Sequence, residues 1–178
     1  MMEIGTCYVY NDTSLTAVTS SNIGTYFTYS TTNSGTNSAT WSYNSNGYWE
    51  CVPGSLNSIT CDFTLVPKGT GKYKFTLMDL SESNWDKLHL IIDDITVKTL
   101  ADSSGVIDTY STIVSANTVI KIRCSKDSNN TATGEYYRVK IESIASYSTV
   151  GVTTSTLYPD EFIIPTAPSN KIGGMWLA

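Results

Sequence analysis

The chain has 178 residues, 40% hydrophobic and 15% charged, with a formal net charge of −5; that is enough for one full-sized core and too apolar for a disordered chain. Its two arginines, Arg123 and Arg138, supply no basic face to neutralise a phosphate backbone, so nucleic acid is not an expected partner. No run of residues has the length of an apolar membrane span, so a membrane is not an expected partner either.

The amino terminus, "MMEIGTCYVYNDTS", has no basic leader followed by an apolar stretch, and so no recognisable signal peptide. That predicts a protein made in the cytoplasm that stays there or leaves by assembly or lysis. Residues 28–47, "TYSTTNSGTNSATWSYNSNG", are rich in Ser, Thr, Asn and Gly and predict a long polar loop or weak edge strands. Within and after them come Trp41, Tyr43, Tyr48 and Trp49. Aromatics among hydroxyls and amides suit either core packing or an exposed sugar-stacking groove, and Trp41, Tyr43 and Trp49 are candidate glycan contacts.

Cys7, Cys51, Cys61 and Cys124 show no CxxC spacing and no neighbouring histidine, which argues against a zinc site. They read as buried thiols. Cys51 and Cys61 bracket "VPGSLNSIT", and a disulfide between them is the alternative.

From residue 58 onward the alternation is that of half-buried strands. Ile59, Cys61, Phe63 and Leu65 share one face of "SITCDFTL", and Tyr73, Phe75 and Leu77 share one face of "KYKFTLM". The turn "VPKGTGK" separates the two. The strands "KLHLII" and "DITVKTL" flank Asp93 and Asp94; "NTVIKIRC" puts Ile120, Ile122 and Cys124 on one side; and "EYYRVKIESI" alternates Tyr137, Val139 and Ile141 with Tyr136, Arg138, Lys140 and Glu142. Helical periodicity is nearly absent. Six or more short strands without helices predict an all-β, antiparallel two-sheet sandwich, most simply a jelly roll, over residues 1–147.

Residues 81–97, "SESNWDKLHLIIDDITV", hold the chain's one histidine. Trp85 sits at a loop–strand junction, where it either caps the core or stacks on a sugar ring. His89 faces away from Leu88 and Leu90 and has no nucleophile motif to serve, so it reads as structural. Asp79, Glu82, Asp86, Asp93 and Asp94 raise a calcium site, against the simpler reading of turn aspartates at 93 and 94. No cofactor is otherwise expected, nor a paired-carboxylate catalytic site, and the chain reads as non-enzymatic.

The tail, residues 148–178, is broken by prolines and ends "MWLA". It predicts an extended docking arm whose apolar anchors are Phe162, Ile163, Ile164, Met175, Trp176 and Leu177.

The stretch "GTGKYKFTLMDLSESNWDKLHLIIDDITV", with a glycine-led YxF strand, a polar loop and a WDxLxLxIDD strand and turn, resembles the jelly-roll sandwiches of galactose-binding-like and carbohydrate-binding-module-like domains. Such domains recur in secreted glycosidases, adhesins and phage virion proteins; the likeness covers roughly residues 58–144 and matches no ligand residue by motif. The Tyr/Ser/Thr/Asn-rich sandwich with an apolar-ended arm is similar in composition to bacteriophage capsid decoration proteins, head fibres and tail parts. The resemblance implies a virion component docking on a capsid or tail lattice, with possible homo-oligomers, or alternatively a module recognising surface glycans.

Overall fold

The alternation read from the sequence is realised as strands. β5 (Ile59–Pro67) buries every odd residue, and β6 (Gly71–Leu80) does the same from Tyr73 to Asp79. β10 (Ile120–Lys126) buries every even one. Side chains on successive strand residues point to opposite faces, so one face of each strand builds a core while the other meets solvent. The computed structural model describes residues 8–34, 39–53, 58–101, 104–128 and 134–148, and Tyr8–Tyr147 form one compact unit.

Eleven strands are present among the described residues. The others are β1 (Tyr8–Ala17), β2 (Phe27–Ser34), β3 (Trp41–Tyr43), β4 (Trp49–Cys51), β7 (Lys87–Ile92), β8 (Ile95–Leu100), β9 (Val106–Val114) and β11 (Tyr136–Ser148). A single helical turn, α1 (Ile23–Tyr26), precedes β2 and buries Ile23. Sheet A has the order β3-β4-β11-β6-β9, with β1 also pairing β11; sheet B has the order β2-β5-β10-β7-β8.

This winding is a jelly roll. β4 pairs β11, β5 pairs β10, β6 pairs β9 and β7 pairs β8, all antiparallel. The chain is therefore a long hairpin of four nested strand pairs rolled into two facing sheets, as expected for this fold. The innermost turn is Asp93–Asp94, both at positive φ (47° and 63°), which is the two-residue hairpin geometry that matches strand twist.

Between the sheets lie Phe63, Leu65, Phe75, Leu77, Leu88, Leu90, Ile120, Ile122, Tyr137 and Val139, each fully buried. Each aliphatic or phenyl side chain removed from water contributes about 1.5–3 kcal/mol.

Of the two readings of the polar segment 28–47, the structure takes the edge strands, β2 and β3. β2 keeps seven of its eight residues exposed, while Trp41 turns inward and stacks on Phe63 at 6.0 Å and 20°. β9 was masked by its own pattern: Ile107 and Ile113 face out, and Asp108 falls on the opposite register.

Candidate functional site

The outer face of sheet B carries a polar row that crosses all five strands. Register places Thr32 opposite Asp62, Asp62 opposite Arg123, Arg123 opposite His89, and His89 opposite Thr99. Each comes from the outward set of its strand, because the inward neighbours Phe63, Ile122, Leu88 and Leu90 fill the core. The Arg123 guanidinium donates twice to Asp62, Nε to Oδ1 at 2.7 Å and Nη2 to Oδ2 at 2.8 Å. This bidentate geometry fixes both side chains and leaves further guanidinium N–H groups and carboxylate lone pairs facing out. His89 Nδ1 and Thr99 Oγ1 are 3.0 Å apart.

At one end of this row Thr32, Asn33, Ser34, Thr60, Asp62 and Arg123 line an open depression of about 300 Å³. Burial lowers the His89 pKa below its ordinary value, and the nearby Lys87 and Arg123 charges push it the same way. The ring is thus held neutral, with a lone pair or N–H available to a hydroxyl.

Trp85 lies just before the start of β7, two residues before Lys87, which pairs with Ser125, which in turn pairs with Thr60 of the depression two strands away. It is 66% exposed, the most open of the indoles described. The loop holds it there. Ser81 Oγ donates to the Asp86 carbonyl at 3.3 Å, Asn84 takes a left-handed φ of 72°, and the buried Asp86 pins the far side. Asn is among the few residues that adopt this conformation readily.

Of the other candidate glycan contacts, Trp41 and Trp49 take the core-packing alternative. Trp41 and Trp49 are 4% and 5% exposed, and their indole N–H groups donate to the carbonyls of Cys61 and Val18, both at 3.1 Å. Neither presents a ring face to a ligand. Tyr43 packs edge-on to Trp49 at 5.3 Å and is half-buried.

The acidic set proposed for calcium is split. Asp93 and Asp94 form the β7–β8 turn, where Asp93 accepts the Val119 N–H at 2.8 Å and Asp94 pairs with Lys121. Asp86 lies at the opposite end of β7, and there the cation is a lysine: Lys126 binds Asp86 Oδ2 at 3.1 Å and also Glu135 Oε2, all three wholly or almost wholly buried. Burial raises the Glu135 pKa, partly offset by Lys126. Tyr137, whose hydroxyl has no hydrogen-bond partner among the described residues, is also fully buried, and its pKa is raised by burial and then by the Asp86 charge.

Of the two cysteine readings, the structure has the buried thiols and not the Cys51–Cys61 disulfide: Cys51, Cys61 and Cys124 are buried and free. What spacing hid is that all three converge: their sulfurs lie within 4.8 Å of one another. Cys7 and the arm residues Phe162, Ile163, Ile164, Met175, Trp176 and Leu177 lie outside the described residues, and no feature of the sandwich bears on a virion role.

No family model and no characterised protein sequence matches the chain. Similar solved structures include a family 35 carbohydrate-binding module from Clostridium thermocellum, 9% identical with a TM-score of 0.35, covering 72% of this chain and 97% of that one. A family 36 carbohydrate-binding module solved with calcium and xylotriose is 14% identical, TM-score 0.31, covering 66% and 99%. Pika GITRL is 18% identical, TM-score 0.34, covering 43% and 70%. At these identities and scores no ligand, residue or activity passes from them to this chain, and its jelly roll stands on its own strand pairing.

Proposed function

We propose that this chain is a non-enzymatic carbohydrate-binding module whose sugar-binding face is the outer surface of sheet B, with Trp85 as an aromatic contact at its edge. The observation that carries this reading is the row Thr32–Asp62–Arg123–His89–Thr99 beside an open, hydroxyl-lined depression. Sugars present vicinal hydroxyls that both donate and accept. A clamped carboxylate–guanidinium pair offers both functions in a fixed plane, and the surrounding Thr, Ser and Asn side chains extend it. An exposed indole adds an apolar face for the C–H side of a ring.

Binding of the multimerised full chain to a glycan array tests the proposal, since shallow sites are weak singly and gain by avidity. Removing the charged donor in Arg123→Ala is expected to weaken binding about 10- to 100-fold. Trp85→Ala should weaken it as well, with the near-ultraviolet spectrum of the buried indoles unchanged. Absence of any glycan signal, or full binding by both variants, would reject it.

Docking on a larger assembly through residues 148–178 is a compatible second reading, favoured by the apolar "FII" and "MWLA" of that segment. Light scattering on the full chain and on a chain ending at Ser148 tests it. Self-association of the full chain alone supports an assembly arm; two identical monomers remove that support.

A further inference from the structure

Three strands each carry a cysteine into the centre of the core: Cys51 on β4 of sheet A, and Cys61 and Cys124 on β5 and β10 of sheet B. All three are 0% exposed. The contact that spans the sheets is Cys124 Sγ to Cys51 Sγ at 3.2 Å, between residues 73 positions apart. Cys61 is the cross-strand partner of Cys124, but its thiol donates to the Ala39 carbonyl at 3.4 Å.

We propose that Cys51 and Cys124 are an oxidative cross-linking site at which a disulfide joins sheet A to sheet B, with Cys61 kept as a thiol beside it. The two sulfurs need to close by only about 1.2 Å to reach the bond length of a disulfide. Two alternatives fit the surroundings less well. A Cys61–Cys124 link would first have to turn Cys61 away from Ala39. A soft metal cation held by three thiolates would leave net negative charge among neighbours that cannot offset it: the register partners of the cysteines are Tyr137, Trp41, Asn33 and Leu88. A disulfide is neutral and suits an apolar core.

The chemistry balances with a small-molecule disulfide as oxidant. The Cys51 and Cys124 S–H bonds are lost and one S–S bond forms; the oxidant's S–S bond breaks, takes the two electrons and two protons, and leaves as two thiols. Because the thiols are sealed from water, the link forms as the chain folds or opens and not by attack on the closed sandwich.

The test is to refold the full chain from denaturant in a reduced/oxidised glutathione buffer and, in parallel, with a phosphine reductant, then alkylate under denaturing conditions and map the peptides without reduction. In the glutathione buffer the expected product has one Cys51–Cys124 link and two alkylated thiols, Cys7 and Cys61. Its melting temperature should exceed that of the reduced form by roughly 5–15 °C. Cys61→Ala should keep the link, and Cys124→Ala should lose both the link and the thermal gain. Four alkylated thiols in a natively folded chain, or a predominant link through Cys61 or Cys7, would overturn the proposal. So would zinc or copper(I) protecting all three core thiols at one ion per chain while no link forms with oxidant.

Discussion

Arg123 and Lys126 stand three residues apart on β10, and each holds carboxylate oxygens at hydrogen-bond distance. They nevertheless belong to different worlds. The odd register of Arg123 puts it on the outer face of sheet B, with 37% of its side chain exposed, while the even register of Lys126 drives it inside to 0%. The difference shows that environment, not residue type, decides what an ion pair does here. On the outer face solvent screens the pair, the pair adds little to stability, and its spare donors and acceptors remain available to a ligand. Inside, the charges satisfy one another and are unavailable to anything else, but losing one partner strands the others in a medium that solvates them poorly.

The harshest way to break the comparison is Lys126→Met, which leaves Asp86 and Glu135 without their cation. It is expected to cost about 3–5 kcal/mol of unfolding free energy, measured by urea denaturation, with circular dichroism showing β-structure retained at low denaturant. A cost as small as that of a surface pair would mean the buried carboxylates are held neutral or reach water. Arg123→Ala sharpens the other side: stability should change by about 1 kcal/mol or less in the same assay, even as glycan binding falls. Tyr137→Phe is subtler. It deletes a buried hydroxyl that has no partner among the described residues, so stability should be unchanged or rise by up to about 1 kcal/mol; a marked loss would reveal a bond to that oxygen.

The smallest effect concerns His89. Its folded pKa is depressed, so the unfolded chain takes up the proton first as pH falls. The contribution to stability is present above the unfolded value of 6.5 and is lost as pH falls through the lower folded value. Two-dimensional NMR of the single imidazole should show a midpoint below 6.5, and His89→Gln should flatten the slope of stability against pH in that window. A midpoint at or above 6.5 would place the ring in contact with a carboxylate and not with Thr99.

The same periodicity that separates Arg123 from Lys126 is what made the fold readable. β5, β6 and β10 announce themselves by alternation because each has one buried and one wet face. The polar row was implicit in it too, since Asp62, Arg123 and His89 all fall on the wet register. What could not be read is which strands lie side by side. Trp41 sits in a run of Ser, Thr and Asn that suggests exposure, yet β3 pairs with β4 and brings the ring against Phe63, which is distant in sequence. The thiol cluster joins positions 51, 61 and 124, and the buried charge cluster joins 86, 126 and 135, through contacts between separate strands that no local motif encodes. β9 was hidden for a different reason: as a sheet edge it carries apolar side chains on its solvent face, which inverts the usual signal.

The nested pairing carries a consequence for how the protein is made. Of the four nested pairs, β7–β8 alone joins strands consecutive in sequence; β6 must wait for β9, β5 for β10 and β4 for β11. Zipping outward from the Asp93–Asp94 turn closes progressively larger loops, which marks a slow folder by topology. On the ribosome β2 can pair with β5 and β3 with β4, but the other edges of β4 and β5 and both edges of β6 wait for later strands, and β11 must be translated before sheet A can be completed. Until then β4, β5 and β6 are open templates for a neighbouring copy, so the interval between translating β6 and β11 is when this chain depends most on chaperones or on slow, dilute synthesis.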